Sequence, residues 1–186
     1  MLEIVIQGRG GQGAQTAGNL LAAAYFAAGN EVQCFASYGG ARRGTPVSSF
    51  LRVDSRPVRL RCDIERADAI LCFDASLLAP PLLACADADT LIVVNSSLAP
   101  ADFARTQPGR HVLPVDALAI ARRHGLGRIV NSALVGALAR AVGSLPREVL
   151  HAAIAEGSPR LQQENVAACD EGWQHAERLL REEAAR

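Results

Sequence analysis

Gly8-Arg9-Gly10-Gly11-Gln12-Gly13 places a Gly-x-Gly-x-x-Gly pattern directly behind a short apolar run, Leu2 to Gln7, and directly ahead of a stretch with helical spacing. Glycines in that position let backbone N–H groups approach phosphate oxygens, and the helix that follows adds the positive end of its dipole. The chemistry on offer is anion binding, to which Gln12 can add an amide donor and Arg9 a charge. A tight structural turn without ligand would use the same glycines.

A nicotinamide-binding fold normally ends its second strand in an acid that holds the ribose hydroxyls. The second expected strand here ends in Ala36-Ser37-Tyr38, and Glu31 stands at its opposite end. The chain runs on instead into Gly39-Gly40-Ala41-Arg42-Arg43-Gly44-Thr45-Pro46, expected on the same side of the sheet as the first loop. The guanidiniums of Arg42 and Arg43 can form paired, charge-assisted bonds to phosphate, and they suit a contact with another subunit equally well. Arg52, Arg56, Arg59, Arg61 and Arg66 extend the basic character and are expected on a solvated or subunit-facing surface.

No catalytic set accompanies these loops. His111, His124, His151 and His175 are dispersed, and neither His-Glu-x-x-His nor Gly-x-Ser-x-Gly occurs. Asp74 and Asn95 end apolar runs and are secondary candidates for lining a ligand crevice, although turns that close strands favour the same residue types. The cysteines Cys34, Cys62, Cys72, Cys85 and Cys169 stand singly, without the spacing that holds zinc or an iron–sulfur cluster. Their odd number, and an N-terminal apolar run too short for a secretory leader, give the expectation of a reducing, cytoplasmic setting. Basic and acidic residues balance at 19 each, so no general field favours nucleic acid or an anionic membrane. The apolar runs fall short of the roughly 20 residues that span a bilayer.

The elements that must position these residues follow from the apolar pattern. Leu2 to Gln7 reads as a strand, Gln12 to Ala28 as a helix with Ala14, Ala17, Leu21, Ala24 and Ala28 on one face, and Glu31 to Ser37 as a second strand completing a βαβ unit. Val47 to Val53 and Pro57 to Arg61 are expected as an antiparallel hairpin turning at Asp54-Ser55-Arg56. Ala69 to Phe73, Leu91 to Asn95 and His111 to Val115 are apolar runs of the kind found in strands covered on both faces. Helices are expected at Ala117 to His124, Asn131 to Val142, Pro146 to Glu156 and Leu161 to Arg181, with Pro146 in a first turn. In the last of these Val166, Cys169, Trp173, Ala176 and Leu180 form an apolar stripe that should pack against the body or a partner. The expected fold is α/β: one Rossmann-like three-layer domain over all 186 residues, with a mixed, mostly parallel sheet and a helical C-terminal part.

In order along the chain, Gly8 to Gly13, Gly40-Ala41-Arg42-Arg43-Gly44-Thr45-Pro46 and Pro57-Val58-Arg59 resemble the gamma subunit of pyruvate and related 2-oxoacid:ferredoxin oxidoreductases. Asn131-Ser132-Ala133-Leu134-Val135-Gly136-Ala137 and the segment from Asn165 to Gly172 are similar to the closing segments of that family, so the resemblance covers nearly the whole chain. The segment between Ile154 and Gln162 is shorter than the family pattern. The resemblance implies a complex in which alpha, beta and ferredoxin-like delta subunits hold thiamine diphosphate, magnesium and iron–sulfur clusters. Ferredoxin or an NAD-reducing subunit would accept the electrons, and the acyl group of a 2-oxoacid such as pyruvate or an aromatic oxoacid would pass to coenzyme A. It implies that this subunit assists coenzyme A binding; read onto this sequence, backbone donors at Gly10 to Gly13 with Arg9, Arg42 or Arg43 are expected to engage its phosphates. Two other readings stay open on the residues alone: a self-sufficient NAD(P)- or flavin-binding oxidoreductase, and an assembly subunit whose glycine loop is empty.

Overall fold

A computed structural model describes residues 1–39 and 45–185. Strands β1 (Leu2–Arg9), β2 (Glu31–Tyr38), β3 (Pro46–Asp54), β4 (Ala69–Cys72), β5 (Leu91–Asn95) and β6 (His111–Val115) form a sheet in the order β2-β3-β1-β4-β5-β6 among the described residues. The β1–β4, β4–β5 and β5–β6 pairs are parallel. The expected three-layer α/β arrangement is present, because period-two alternation sends successive side chains to opposite faces and helices cover both. Ile4, Ile6, Leu71 and Val93 enter the core on one face, while Val5, Ile70, Ile92 and Val94 enter the core on the other.

The expected hairpin is corrected in its partner. Val47 to Val53 does enter one, but with the strand before it: β2 and β3 pair antiparallel from Glu31 opposite Asp54 to Tyr38 opposite Val47. On its other side β3 pairs antiparallel with β1. Its Ser49, Leu51 and Arg52 are buried, and a strand covered in this way takes a neighbour on each side. Pro57 has no N–H to give a ladder, and Arg59, Leu60 and Arg61 are exposed outside the sheet. Consequently β2 lies parallel to β1 but one strand removed from it, so the N-terminal βαβ unit spans an inserted strand.

Arg52 is likewise not a surface residue. It is 2% exposed; its Nε donates to Glu3 Oε1 at 2.7 Å, and its terminal nitrogens donate to the carbonyls of Cys62 and Asp63 at 2.8 and 3.2 Å. These bonds tie the irregular segment after β3 back across the sheet.

The helices are α1 (Ala14–Ala27), α2 (Pro80–Leu83), α3 (Pro100–Thr106), α4 (Ala117–Arg123), α5 (Asn131–Val142), α6 (Arg147–Gly157) and α7 (Gln162–Ala184). The short α2 and α3 were not expected; each starts at a proline whose missing N–H would have no partner in a first turn anyway. Pro146 precedes α6 as its N-cap rather than lying inside its first turn. Every residue of α5 from Asn131 to Ala139 is buried, which places this helix between the sheet and α7. Of the expected stripe on α7, Cys169 and Ala176 are buried against this body, and Val166, Trp173 and Leu180 pack on it half-buried. Ala168 and Gly172, outside the stripe, are buried beside them as small residues that permit close approach.

Candidate functional site

The carboxyl ends of β1, β4 and β5 meet the start of α1 at one edge of the sheet, where open α/β sheets place their ligand crevice. Gly11 and Gly13 both have left-handed backbones, with φ of 94° and 92°. Such angles are open to glycine at little cost and strained for residues with a Cβ. They turn the chain from β1 into α1 within four residues, Gly10 to Gly13.

Some of the loop's donors serve the loop itself. Gly10 N–H donates to Thr45 O and Gln12 N–H to Arg9 O, both at 2.9 Å. The Gln12 side chain folds inward, its Oε1 accepting from Arg9 N–H at 2.6 Å, which turns the amide nitrogen into the end left to donate. The first i to i−4 bond of α1 is from Ala17 to Gly13 O, so the N–H groups of Ala14, Gln15 and Thr16 have no acceptor within the helix. Gly13, the N-cap, offers no side-chain bond, and the first turn holds no acid. The free donors therefore lie at the start of α1 more than in the interior of the glycine loop.

Arg9, the last residue of β1, is held beside this turn. Its Nε donates to Asp74 Oδ2 at 2.9 Å and a terminal nitrogen donates to Ser76 Oγ at 2.8 Å. Burial pushes the Asp74 carboxyl up, but hydrogen bonds from Ser76 and Arg9 outweigh it and leave the pKa below the ordinary value. Asp74 thus stays ionised and fixes the guanidinium. Asn95 serves the frame: its Nδ2 donates to Phe73 O at 3.2 Å and its Oδ1 accepts from Ala117 N–H at 3.1 Å, linking β5 to its neighbour and to the start of α4. Arg42 and Arg43 lie outside the described residues, in the segment joining Gly39 to Thr45.

Asn131 was not expected in the site. A Cβ on Gly13 would lie 2.5 Å from Asn131 Nδ2 and 2.6 Å from its Oδ1, so the first residue of α5 occupies the space that a side chain on Gly13 would need. An asparagine opening a helix reads locally as a capping residue, and only the tertiary contact brings it to the loop.

The remaining polar clusters are self-contained. A cleft of about 660 Å³ between α4 and α7 is lined by Arg123, His124, Glu171, His175 and Arg178 among others. There Glu171 accepts from both Arg123 and His124, and Arg178 bonds His175, whose Nε2 lies 3.0 Å from Pro114 O. Burial pushes the Cys72 thiol up to about 11 and the Cys169 thiol up to about 12, which suppresses the thiolate a nucleophile or metal ligand requires. Among the described residues no three His, Cys, Asp or Glu side chains converge as metal ligands, and no helix is long and apolar enough to cross a membrane.

The strand–glycine turn–helix unit at the carboxyl edge of the sheet defines a Rossmann-like α/β domain whose first helix starts without an acid or a side-chain cap. The family model described as pyruvate ferredoxin/flavodoxin oxidoreductase matches residues 3–175, and the chain belongs to that family. It is 37% identical over 178 residues to the pyruvate/ketoisovalerate oxidoreductases common subunit gamma of Thermococcus kodakarensis, covering 93% of this chain and 96% of that one. With pyruvate synthase subunit PorC of Methanosarcina barkeri it shares 38% identity over 155 residues, covering 83% and 85% of the two chains. The crystal structure of pyruvate oxidoreductase subunit PORC from Thermotoga maritima matches with a TM-score of 0.81 at 32% identity, covering 93% and 95%. A fold likeness, with a TM-score of 0.76 at 22% identity, extends over 95% of this chain and 31% of a 2-oxoglutarate:ferredoxin oxidoreductase chain from Magnetococcus marinus, a structure with 2-oxoglutarate, coenzyme A and succinyl-CoA bound. The resemblance to gamma subunits read from the motifs therefore holds along nearly the whole chain, as a subunit of a multi-subunit oxoacid oxidoreductase.

Proposed function

We propose that this gamma-type subunit serves an oxidoreductase that converts a 2-oxoacid, with pyruvate the first candidate, to an acyl-coenzyme A. Its own task is to receive the phosphates of coenzyme A next to a reaction centre carried by partner subunits. The observation that carries the reading is the uncapped start of α1, free of acids and flanked by Arg9. Phosphate oxygens suit that combination of idle N–H groups and a guanidinium. A nicotinamide dinucleotide suits it less: β2 ends without an acid and stands one strand away from β1, about 10 Å across the sheet.

Thiamine diphosphate with magnesium, and the iron–sulfur clusters, belong on this reading to alpha, beta and ferredoxin-like delta subunits, where they supply decarboxylation and electron transfer. The donor set here does not fit a cluster: the cysteines are free thiols scattered among strands, loops and helices. Within this chain Asp74 keeps Arg9 oriented, the α1 start supplies donors, and Gly11 and Gly13 let a phosphate approach the backbone.

The test uses the assembled complex purified with its native partners. Arg9→Ala removes a charge-assisted bond, worth roughly 1.5–3 kcal/mol, and should raise the KM for coenzyme A about tenfold or more while leaving the KM for the oxoacid unchanged. An unaltered coenzyme A requirement, or full activity from this chain without partners, would overturn the reading.

A further inference from the structure

We infer that the groove between α6 and α7 is a self-docking surface: Leu161, just ahead of α7, enters the same groove of a second copy of this chain, and that copy's Leu161 enters this one. The inference is independent of what the glycine turn binds.

Leu161 is the one residue other than glycine with a left-handed backbone among the described residues, at φ 54°. Glycine adopts that conformation at little cost, whereas the Cβ of a leucine is penalised there. The conformation is imposed from inside. Asn165, 6% exposed, donates from its backbone N–H and from Nδ2 to Leu161 O, both at 2.9 Å, and its Oδ1 accepts from Ser132 Oγ at 2.7 Å. The side chain so fixed is 46% exposed, so the protein holds an apolar group outward at a backbone cost. Strain that the surrounding structure over-determines in this way concentrates where a surface has a task.

Beside Leu161 lies a groove for such a group. Four residues, Ser158 to Leu161, join α6 to α7, within the segment that is shorter than the family pattern. The cavity between the two helices measures about 530 Å³ and is lined by His151 and Ala155 of α6 and by Gln162, Gln163, Val166 and Ala167 of α7, among others. Knob and groove therefore share one patch: Leu161 directly precedes Gln162, and Val166 follows within about 8 Å along the helix axis. A patch that carries both is self-complementary about a two-fold axis, the usual symmetry of paired identical chains.

The charges agree with that axis. Arg160 and Glu164 stand on either side of Gln162, and among the described residues neither forms an ion pair. An axis passing the first turn of α7 sets the Arg160 of each copy against the Glu164 of the other. A partner of unrelated sequence would have to supply a knob, a pocket and both opposite charges, whereas a second copy brings all of them.

Sedimentation of the purified full chain over a dilution series should show a reversible monomer–dimer equilibrium. Leu161→Gly suits the left-handed backbone and removes the knob; it should weaken the dimer about tenfold to a hundredfold, the value of burying a leucine, without lowering the Tm of the dilute monomer. Ala155→Phe, which fills the groove, should weaken the dimer to a similar degree. Arg160→Glu should dissociate it by like-charge repulsion, and Glu164→Arg added to Arg160→Glu should restore it. A chain monomeric throughout the series overturns the inference, as does a dimer left intact by Leu161→Gly, by Ala155→Phe or by Arg160→Glu, or a charge exchange that fails to restore it. If Ala155→Phe does not fold, the Leu161→Gly and charge-exchange arms decide. A chain monomeric alone, yet released by Leu161→Gly from the complex purified with its native partners, would assign the groove to a partner subunit and overturn self-pairing.

Discussion

Gly136 on α5 and Gly172 on α7 give up their side chains to the same helix crossing. A Cβ at Gly136 would stand 2.0 Å from Cys169 O, and one at Gly172 would stand 2.0 Å from Ala133 O. In both cases the obstacle is backbone, which cannot rotate aside as a side chain would. The crossing holds α5 against the body, and α5 in turn carries Asn131 to the glycine loop. The contact between Asn131 and Gly13 thus depends on a helix crossing further along α5.

Gly172→Ala should therefore push α7 away from α5 and destabilise the protein by about 1–3 kcal/mol, the usual cost of overpacking. For a chain of this size each kcal/mol lowers Tm by roughly 2–4 °C. Gly136→Ala should act in the same direction, and the double variant should lose less than the sum, because the helices separate once for both. Circular dichroism melts of the three variants check this; an unchanged Tm would refute the close crossing.

The crossing was foreshadowed in the sequence only as a stripe on the last helix, and the same division runs through the whole chain. Continuous apolar runs located β4, β5 and β6 and helical periodicity located α1 and α4 to α7, because those signals are local. The pairing of β3 was not local: its Ser48, Ser49 and Arg52 look like solvated residues until β1 and β2 are placed on either side. In the site, the glycine turn and Arg9 could be read from spacing. The spending of Gly10 and Gln12 N–H groups inside the loop, and the arrival of Asn131, follow from contacts between distant residues and carry no sequence period.

Arg52 offers a direct check on that correction. As a surface arginine its removal would change stability by no more than about 0.5 kcal/mol, but its burial leaves Glu3 and two carbonyls without their donor. Glu3 remains partly exposed, so the loss should fall somewhat below the 3–5 kcal/mol typical of a broken buried pair, at roughly 2–3 kcal/mol. Chemical denaturation of Arg52→Ala measures it. A midpoint equal to wild type would return Arg52 to the surface.

Acid should loosen the Arg9 anchor in a defined sense. The Asp74 carboxyl is held below its ordinary value of 3.8 in the folded chain, so its contribution to stability is complete above that value and drains away as pH falls through the lower folded-state pKa. Asp74→Asn should consequently be less stable than wild type at neutral pH, and the two stability curves should converge in acid. Denaturation midpoints across a pH series provide the comparison. A difference that stays constant down to strongly acidic pH would mean that the carboxylate charge is not what Arg9 and Ser76 recognise.

Gly11 and Gly13 permit the contact between loop and α5 to be weighed separately from backbone strain. Both have φ near +90°, so an alanine at either position carries a left-handed penalty of about 1–2 kcal/mol. At Gly11 no atom lies within 4 Å of the added carbon, whereas at Gly13 the carbon would fall 2.5 Å from Asn131 Nδ2. Gly13→Ala must therefore cost more than Gly11→Ala, since Asn131 has to leave its place at the start of α5. The excess should fall markedly when Asn131 is first shortened to alanine, because the colliding amide is then gone, while the cost of Gly11→Ala should not change. Thermal melts of these single and double variants isolate the contact. Equal losses at the two glycines, or an excess at Gly13 that survives Asn131→Ala, would place Asn131 somewhere other than against the loop.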